Sequence, residues 1–406
     1  MPASVARRLV WFIAAAILAV AILAALIPWI ASTQIVRDRI ALEMSVWSGY
    51  RVELASAPDI EIWPVFRATM NDVRLLEWQG DAQPVVEAER VEADLSPFAA
   101  LRGDVVFTRL RLIRPSARMS REGFNVSMPP SEGRLSQAIE LVRNLVGADP
   151  AGVERNLPDD TIGTLEIVDG RLSIGEAGAE TEVLTGFAGR LEWPALDRPA
   201  TGSFNGIWRG EMVSIELESQ QPLLLLAGGN ATTSIRLRSA PMEFTFAGKA
   251  SFTQDLFLDG EMALTAASLR RMLQWTRSDM AGSASAGALS LRSHVSGGPQ
   301  RFKLDDAALS LDGNAGRGTM ELAIGPERPA IAGTLAFETV DLAALLATFL
   351  NTSPDGWMRF GGIENDLSRR LGVDLRLSAT RASVGPVALA DVAATAQVRD
   401  GLAAFG

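Results

Sequence analysis

Cysteine is absent from the 406-residue chain, histidine occurs once (His294), tyrosine occurs once (Tyr50), and the 38 basic residues include only two lysines, Lys249 and Lys303. These absences exclude a disulfide framework, a zinc finger, a thiolate nucleophile and a multi-histidine metal site. A formal net charge of −10 argues against a nucleic-acid partner, because phosphate neutralisation needs clustered cations. Aromatic residues make up 6% and charged residues 21% of a chain that is 48% hydrophobic. Apolar surface is plentiful and catalytic parts are scarce.

Val10 to Ile30 is a strongly apolar stretch without a charge. As a helix of 21 residues it would span about 30 Å, the thickness of a bilayer's hydrocarbon core. Its residues Val10, Trp11, Phe12, Ile13, Ile17, Leu18, Ile22, Leu23, Leu26, Trp29 and Ile30 form the expected membrane anchor. Trp11 and Trp29 stand at the two ends, where indoles favour the interface. A cleaved signal peptide fits less well. Its apolar region is shorter, about 7–15 residues, and bulky Trp29 and Ile30 occupy the place of small residues. Arg7 and Arg8 before the run are balanced by Arg37 and Arg39 after it, so charge alone leaves the orientation open.

Beyond the run the dominant period is two. Val91, Ala93 and Leu95 alternate with Glu92 and Asp94, and Leu110 and Leu112 alternate with Arg109 and Arg111. Leu289-Ser290-Leu291-Arg292 and Leu375-Arg376-Leu377-Ser378 repeat the pattern, which marks half-buried strands. Asp-Gly pairs at 169–170, 259–260, 312–313 and 400–401 predict tight hairpins. Asp355-Gly356 lies in a proline-containing loop and carries less weight. Helical spacing is expected through Ile35, Ile40, Leu42 and Val46, then through Leu135, Ile139, Val142 and Val146. It recurs at Leu269, Met272 and Leu273 after an N-cap Ser268, and at Leu342, Leu345, Leu346 and Phe349 after Asp341.

The chain also echoes itself. A shift of 73 residues lays Gly260-Glu261-Met262-Ala263-Leu264 on Gly333-Thr334-Leu335-Ala336-Phe337, and Ser268-Leu269 on Asp341-Leu342. A second echo joins Met70-Asn71-Asp72-Val73, Leu304-Asp305-Asp306-Ala307 and Leu389-Ala390-Asp391-Val392. Both favour an elongating, repeat-built β-structure over a closed barrel.

A single N-terminal anchor is followed in order by Ser48-Gly49-Tyr50-Arg51-Val52-Glu53-Leu54, Pro58-Asp59-Ile60-Glu61-Ile62 and Met70-Asn71-Asp72-Val73-Arg74-Leu75. Val91 to Pro97, Leu101 to Val106 and Leu110 to Pro115 complete the series. In that order these segments resemble the amino-terminal signature of the AsmA family of bacterial envelope proteins. Phe302 to Leu346, with Gly318, Pro329 and Gly333, is similar to that family's later repeats. The resemblance covers nearly the whole chain. It implies an inner-membrane anchor, a periplasmic body of curled β-sheet, a groove for acyl chains, and a part in moving phospholipid and in outer-membrane biogenesis. The family offers no catalytic residues to carry over. Ala403-Ala404-Phe405-Gly406 resembles the middle of a family repeat, so the chain is expected to end within a unit.

Candidate chemistry is weak beside these signals. His294 has no nearby nucleophile motif and reads as a surface or edge residue. Asp159-Asp160 and Asp305-Asp306 lack calcium-loop spacing and read as turns or exposed strand ends. Gly313, Gly316 and Gly318 lie between strands and not before a helix, so they form no phosphate cradle. Trp63-Pro64 and Trp193-Pro194 read as strand ends. The small-residue stretch Gly282 to Ala288 reads as a loop.

The expected fold is therefore mainly β: an N-terminal transmembrane helix, then an elongated, curled antiparallel sheet with a few short helices. The expected divisions are an anchor over 1–36, a signature β region over 37–130, a helix and loop over 131–160, and a repeat-built groove over 161–406. Between 20 and 25 strands at about 4.8 Å would give a groove of roughly 100–120 Å. Strand phase nominates Leu110, Leu112, Leu291, Leu335 and Phe337 as groove lining. The expected partners are membrane phospholipids, the inner membrane and an outer-membrane or periplasmic protein. No cofactor, no metal, no nucleic acid and no catalytic residue is expected. The rival reading is a non-transporting periplasmic scaffold for outer-membrane protein assembly. An anchored hydrolase ranks third.

Overall fold

A computed structural model describes residues 34–406 apart from 79–82, 101, 103–104, 123–124, 128–131, 149–156, 176–181, 253–255, 277–286, 299, 325–328, 343–371, 400–401 and 406. The expected anchor, Val10 to Ile30, lies outside these residues, as do the expected helix beyond Leu342 and the pair Asp355-Gly356. Among the described residues no helix is long and apolar enough to cross a membrane.

The chain opens with α1 (Gln34–Ser48), followed by β1 (Arg51–Leu54), β2 (Asp59–Glu61), β3 (Arg67–Leu76) and β4 (Val86–Leu95). After α2 (Pro97–Ala100) come β5 (Phe107–Glu122), β6 (Asn125–Ser127) and α3 (Arg134–Ala148). Then β7 (Thr161–Gly175), β8 (Glu182–Ala195), β9 (Ala200–Trp208) and β10 (Glu211–Ser219) lead to α4 (Pro222–Leu226). Strands β11 (Ala231–Ser239), β12 (Glu243–Phe252) and β13 (Leu256–Ala266) precede α5 (Leu269–Trp275). The remainder is β14 (Leu289–Gly298), β15 (Arg301–Leu311), β16 (Asn314–Ile324), β17 (Pro329–Asp341), β18 (Gly372–Val384), β19 (Val387–Arg399) and β20 (Leu402–Phe405).

All 20 strands belong to one sheet, long, curled and open. They fill 18 successive positions, because β1 and β2 share one edge of β3 and β4 and β6 share one edge of β5, opposite β7. At about 4.8 Å per spacing the sheet measures roughly 80 Å along its hydrogen bonds, shorter than strand counting from sequence suggested. Pairing is antiparallel except between β5 and β7 and between β17 and β18, which are parallel. This departs from the wholly antiparallel sheet expected. Parallel neighbours need a crossover. The first crossover contains α3, and the second is the long connection from β17 to β18. The 73-residue echo thus starts alike and ends differently, since β13 pairs antiparallel with β14 while β17 pairs parallel with β18.

Turn chemistry explains which Asp-Gly pairs are hairpins. Asp312-Gly313 joins β15 to β16 with φ of 49° and 82°, both left-handed as a two-residue turn requires. Arg399 pairs with Leu402 on either side of the 400–401 pair. The other two pairs lie inside strands. Gly260 of β13 passes so close to β12 that an added Cβ would stand 2.5 Å from the Ala247 carbonyl oxygen and 2.6 Å from Gly248 Cα. Glycine is there for backbone approach, not for a turn. Asp169 is left-handed at φ 55° in the middle of β7, where the pairing with β8 is irregular. A hairpin without the Asp signal, Arg209-Gly210 between β9 and β10, has the same left-handed pair at φ 50° and 80°.

Candidate functional site: an apolar floor across the strands

Strand alternation puts apolar side chains on one face, and register decides whether they line up. They do. Met70, Val91, Leu112, Ile167, Gly189, Phe204, Ile215 and Leu237 pair in sequence from β3 to β11. The row continues through Phe244, Leu264, Leu291, Leu309, Gly316, Phe337, Ala379 and Val392 on β12 to β19. No polar residue interrupts it. Its two glycines let opposite rings lie flat, since a Cβ on Gly189 would meet Phe204 Cδ1 at 2.4 Å and one on Gly316 would meet Phe337 Cε1 at 2.6 Å.

A second row lies beside it: Ala68, Ala93, Leu110, Leu165, Leu191, Gly202, Leu217, Ile235, Phe246 and Met262. It meets Ser293 on β14, whose hydroxyl donates to the Asp305 carbonyl at 2.7 Å beside a bulge. Past the bulge it resumes as Ala307, Gly318, Leu335, Leu377 and Ala394. The five residues nominated from sequence fall in these rows, with Leu112, Leu291 and Phe337 in the first and Leu110 and Leu335 in the second.

Cover varies along the floor. At the β3 end α1 lies on it: Ile40 and Met44 pack with Met70, Val91 and Ala93, and Met70 and Val91 are fully buried. At the other end Leu335 and Phe337 are buried with Leu311, Val340, Ala379 and Ala382. Between these ends Ile167, Phe204, Ile215, Leu237, Phe244 and Leu264 are only half buried. From β7 to β13 this open stretch crosses six strand spacings, roughly 29 Å. The residues picked from sequence are therefore on the apolar face but at its covered parts: Leu291, Leu335 and Phe337 are buried, and Leu110 and Leu112 pack against the α1 cluster. Strand phase reveals a face. It carries no information about what lies on top.

Helices bound the open stretch at both ends of its strands. Val142 and Ala138 of α3 pack with Leu223 and Leu224 of α4 over Trp193, Leu196 and Ala200. At the opposite ends α5 is tied to the β9–β10 hairpin. Trp275 Nε1 donates to the Trp208 carbonyl at 3.0 Å, Arg209 Nη1 donates to the Trp275 carbonyl at 2.8 Å, and the two indoles meet edge to face at 4.7 Å. Ser268 caps α5 by accepting from Arg271 N at 3.3 Å, as its sequence position predicts.

The opposite face is charged and its charges are paired. Asp94, buried on β4, accepts from Arg67 Nε at 2.7 Å and from Arg109 Nε at 2.8 Å. Burial alone would raise this carboxyl, but the hydrogen bonds and charges of Arg67 and Arg109 outweigh it and hold the pKa below the usual value. Across the neighbouring row Glu92, Arg111, Glu166 and Arg190 alternate in sign over successive strands. His294 joins this face. Its Nε2 lies 2.9 Å from Asp259 and its Nδ1 3.2 Å from Glu261, and these two carboxylates, Glu261 first, raise its pKa.

The Asp-containing echo also acquires a physical meaning. Asp72, Asp306 and Asp391 are all left-handed, with φ of 52°, 50° and 52°, inside strands. Each absorbs one extra residue, so that apolar positions fall three apart across it (Met70 and Val73, Leu304 and Ala307, Leu389 and Val392) instead of two. Aspartate tolerates this conformation better than most residues. Arg114 and Asp169 do the same on β5 and β7, and Arg114 is ion-paired to Glu89 on β4. These residues lie in one line across β3, β4, β5 and β7. Such irregularities bend strands, and this line creases the sheet. The echo therefore marks phase changes rather than repeat boundaries.

Asp159 and Asp160 precede β7 in a loop, as expected, and Asp305-Asp306 is the bulge of β15. No group of metal-ligating side chains suited to an ion occurs among the described residues. Trp63-Pro64 sits in the β2–β3 loop, while Trp193-Pro194 lies within the last residues of β8. Comparison with family models, with curated proteins and with solved structures finds no match.

Proposed function

We propose that this chain is an AsmA-like, inner-membrane-anchored envelope protein that holds phospholipid acyl chains on its apolar floor. On this reading it contributes to lipid movement between the inner and outer membranes, with its body in the periplasm. One observation carries the reading: two apolar rows, the first unbroken and the second interrupted at Ser293, whose central stretch is partly exposed and bounded by helices. A hydrocarbon laid there removes apolar surface from water without needing a polar recognition group. About ten methylenes fully buried contribute roughly 8 kcal/mol, and a floor open on one side delivers about half of that. A site of this kind needs neither histidine nor cysteine. The apolar run Val10 to Ile30 supplies the anchor in this reading.

The alternative is a scaffold that works through its charged face and carries no lipid. Adjacent residues on β12 separate the two. Phe244 belongs to the floor and Thr245 to the charged face, in register with Arg236. A photo-cross-linking amino acid placed at 244 in the full chain should capture phospholipid, and the same probe at 245 should not. Equal capture at both positions, or none at either, would reject the floor as the lipid site and favour the scaffold.

A further inference from the structure

Four large apolar side chains are exposed together at one corner of the sheet. Trp63 is 87% exposed, Phe98 79%, Val65 42% and Ile62 37%. Three of them belong to the loop between β2 and β3, and Phe98 belongs to α2 after β4. The two segments are neighbours, since Leu95 N donates to the Phe66 carbonyl at 2.8 Å. Two nearly bare aromatic rings on adjacent loops are unusual for a surface that faces only water.

The position of α1 says what faces them. Its C-terminus enters β1 beside the far end of β3, with Arg51 opposite Leu76. From there β1 and β2 run toward the exposed loop, where Glu61 pairs with Arg67. The helix packs Ile40 and Met44 into the same cluster as Val52, Leu54, Ile60 and Leu95, and Val52 N donates to Ser45 Oγ at 3.0 Å, so its C-terminal part lies back along β1. Continued along the same axis, its length of about 22 Å carries the N-terminus at Gln34 toward the corner that bears Trp63 and Phe98. The apolar run ends at Ile30, and the three residues between it and Gln34 reach at most about 10 Å.

We propose that Ile62, Trp63, Val65 and Phe98 form an interfacial foot, seated in the headgroup region of the bilayer that the N-terminal run enters. This rests on the reading of Val10 to Ile30 as a membrane anchor. Indole and phenyl rings favour that depth, about 5–10 Å into the boundary. The charged residues at the corner are compatible with it, for Glu61 and Arg102 are exposed and remain at the water side. The foot fixes the orientation of the body and sets the β3 end of the floor against the membrane surface.

Because the chain lacks cysteine, single cysteines can be labelled without background. Full chains carrying Trp63→Cys, Phe98→Cys, Ala24→Cys or Glu216→Cys are labelled with an environment-sensitive fluorophore in phosphatidylcholine proteoliposomes. Lipids spin-labelled near the headgroup or near the chain end serve as quenchers. The proposal expects labels at 63 and 98 to be quenched by the headgroup-proximal spin label, Ala24 by the deep one, and Glu216 by neither. Quenching at Ala24 without quenching at 63 and 98 overturns the foot and leaves the anchor standing. Loss of quenching at all four positions overturns both. Quenching at Glu216 equal to that at 63 also overturns the foot, because the body would then lie flat on the membrane.

Discussion

Truncation of Leu237 to alanine should weaken lipid retention up to about four-fold while leaving the fold in place. Leu237 lies in the middle of the open stretch, paired with Ile215 and Phe244, and it is half buried without any ligand. The substitution removes three carbon groups, worth about 2.4 kcal/mol if lipid covered them completely. Neighbouring side chains already shield at least about two thirds of that surface, which leaves at most about 0.9 kcal/mol and about a four-fold change. The readout is the half-saturating concentration of a fluorescent-acyl phospholipid on the full chain. Arg236→Ala is the control. It breaks an exposed pair with Glu216 at 3.0 Å on the other face, costs less than about 1 kcal/mol of stability, and should not change retention. Ile167→Ala on β7 is the second perturbation, four strand positions away. If one acyl chain crosses both residues, the double variant multiplies the two effects, because distant sites add in free energy. Unchanged retention in folded Leu237→Ala protein, or an equal loss from Arg236→Ala, would refute the assignment of the floor. Leu335→Asp and Phe337→Asp are poor tests, since both residues are buried and a charge there unfolds the sheet before lipid is in question.

Three further outcomes follow from local chemistry. Asp94→Asn leaves Arg67 and Arg109 without their shared buried carboxylate and should cost about 3 kcal/mol, read by chemical denaturation. Because the folded pKa of Asp94 is depressed, its contribution is present above about pH 4 and is lost as the pH falls through the depressed value, so the acid limb of stability should flatten in this variant. His294 has a raised pKa, so its contribution is present below about pH 6.5 and is lost as the pH rises through the raised value. As the chain's single histidine it gives one set of ring resonances, whose NMR midpoint should lie above the unperturbed value and fall in Glu261→Gln; a midpoint that does not move would show that the contact does not persist in solution. Gly260→Ala should destabilise by about 2–3 kcal/mol through its backbone clash, more than Gly313→Ala, whose added Cβ meets open space and incurs only the strain of a left-handed residue. Equal melting temperatures for the two variants would contradict this reading of Gly260.

The period-two signal was strong enough to reveal the sheet because each strand keeps one face apolar and the other solvated. Leu110 and Leu112 against Arg109 and Arg111 is a pattern that only a half-buried strand rationalises. The helices through Val142 and Leu269 were legible for the same reason, through spacing and a capping serine. Strand direction was not legible. Nothing local in β17 distinguishes its parallel partner from the antiparallel partner of β13, because direction is set by the length and route of the connection. Asp-Gly was an ambiguous word. The same dipeptide makes a turn at 312–313, a close backbone passage at 259–260 and a mid-strand irregularity at 169–170, and only the strand opposite decides among them. The open floor was hidden for another reason. Phe244 and Phe246 are identical residues two apart on β12, yet Phe246 is 2% exposed and Phe244 is only partly buried, a difference made by residues distant in sequence.

The same distinction bears on how a single sheet of this length can be stable with part of one apolar face uncovered. A sandwich would cover that face with a second sheet. Here the two edges do not pair, so the sheet stays open, and cover comes from helices at its margins. What holds the uncovered middle is its own backbone register together with the charged ladder behind it, where Glu216 bonds to Arg236 and Arg238 across β10 and β11. Exposed ion pairs of this kind contribute little each. Their consequence is directional: a face of alternating charge cannot turn inward, so the apolar rows keep a fixed side on every strand. Acyl chains entering the middle would then add the cover that the helices supply elsewhere, and binding should stabilise the fold. Thermal unfolding of the full chain with and without phospholipid measures that linkage directly, and a melting temperature indifferent to lipid would remove the floor's claim to be a binding surface.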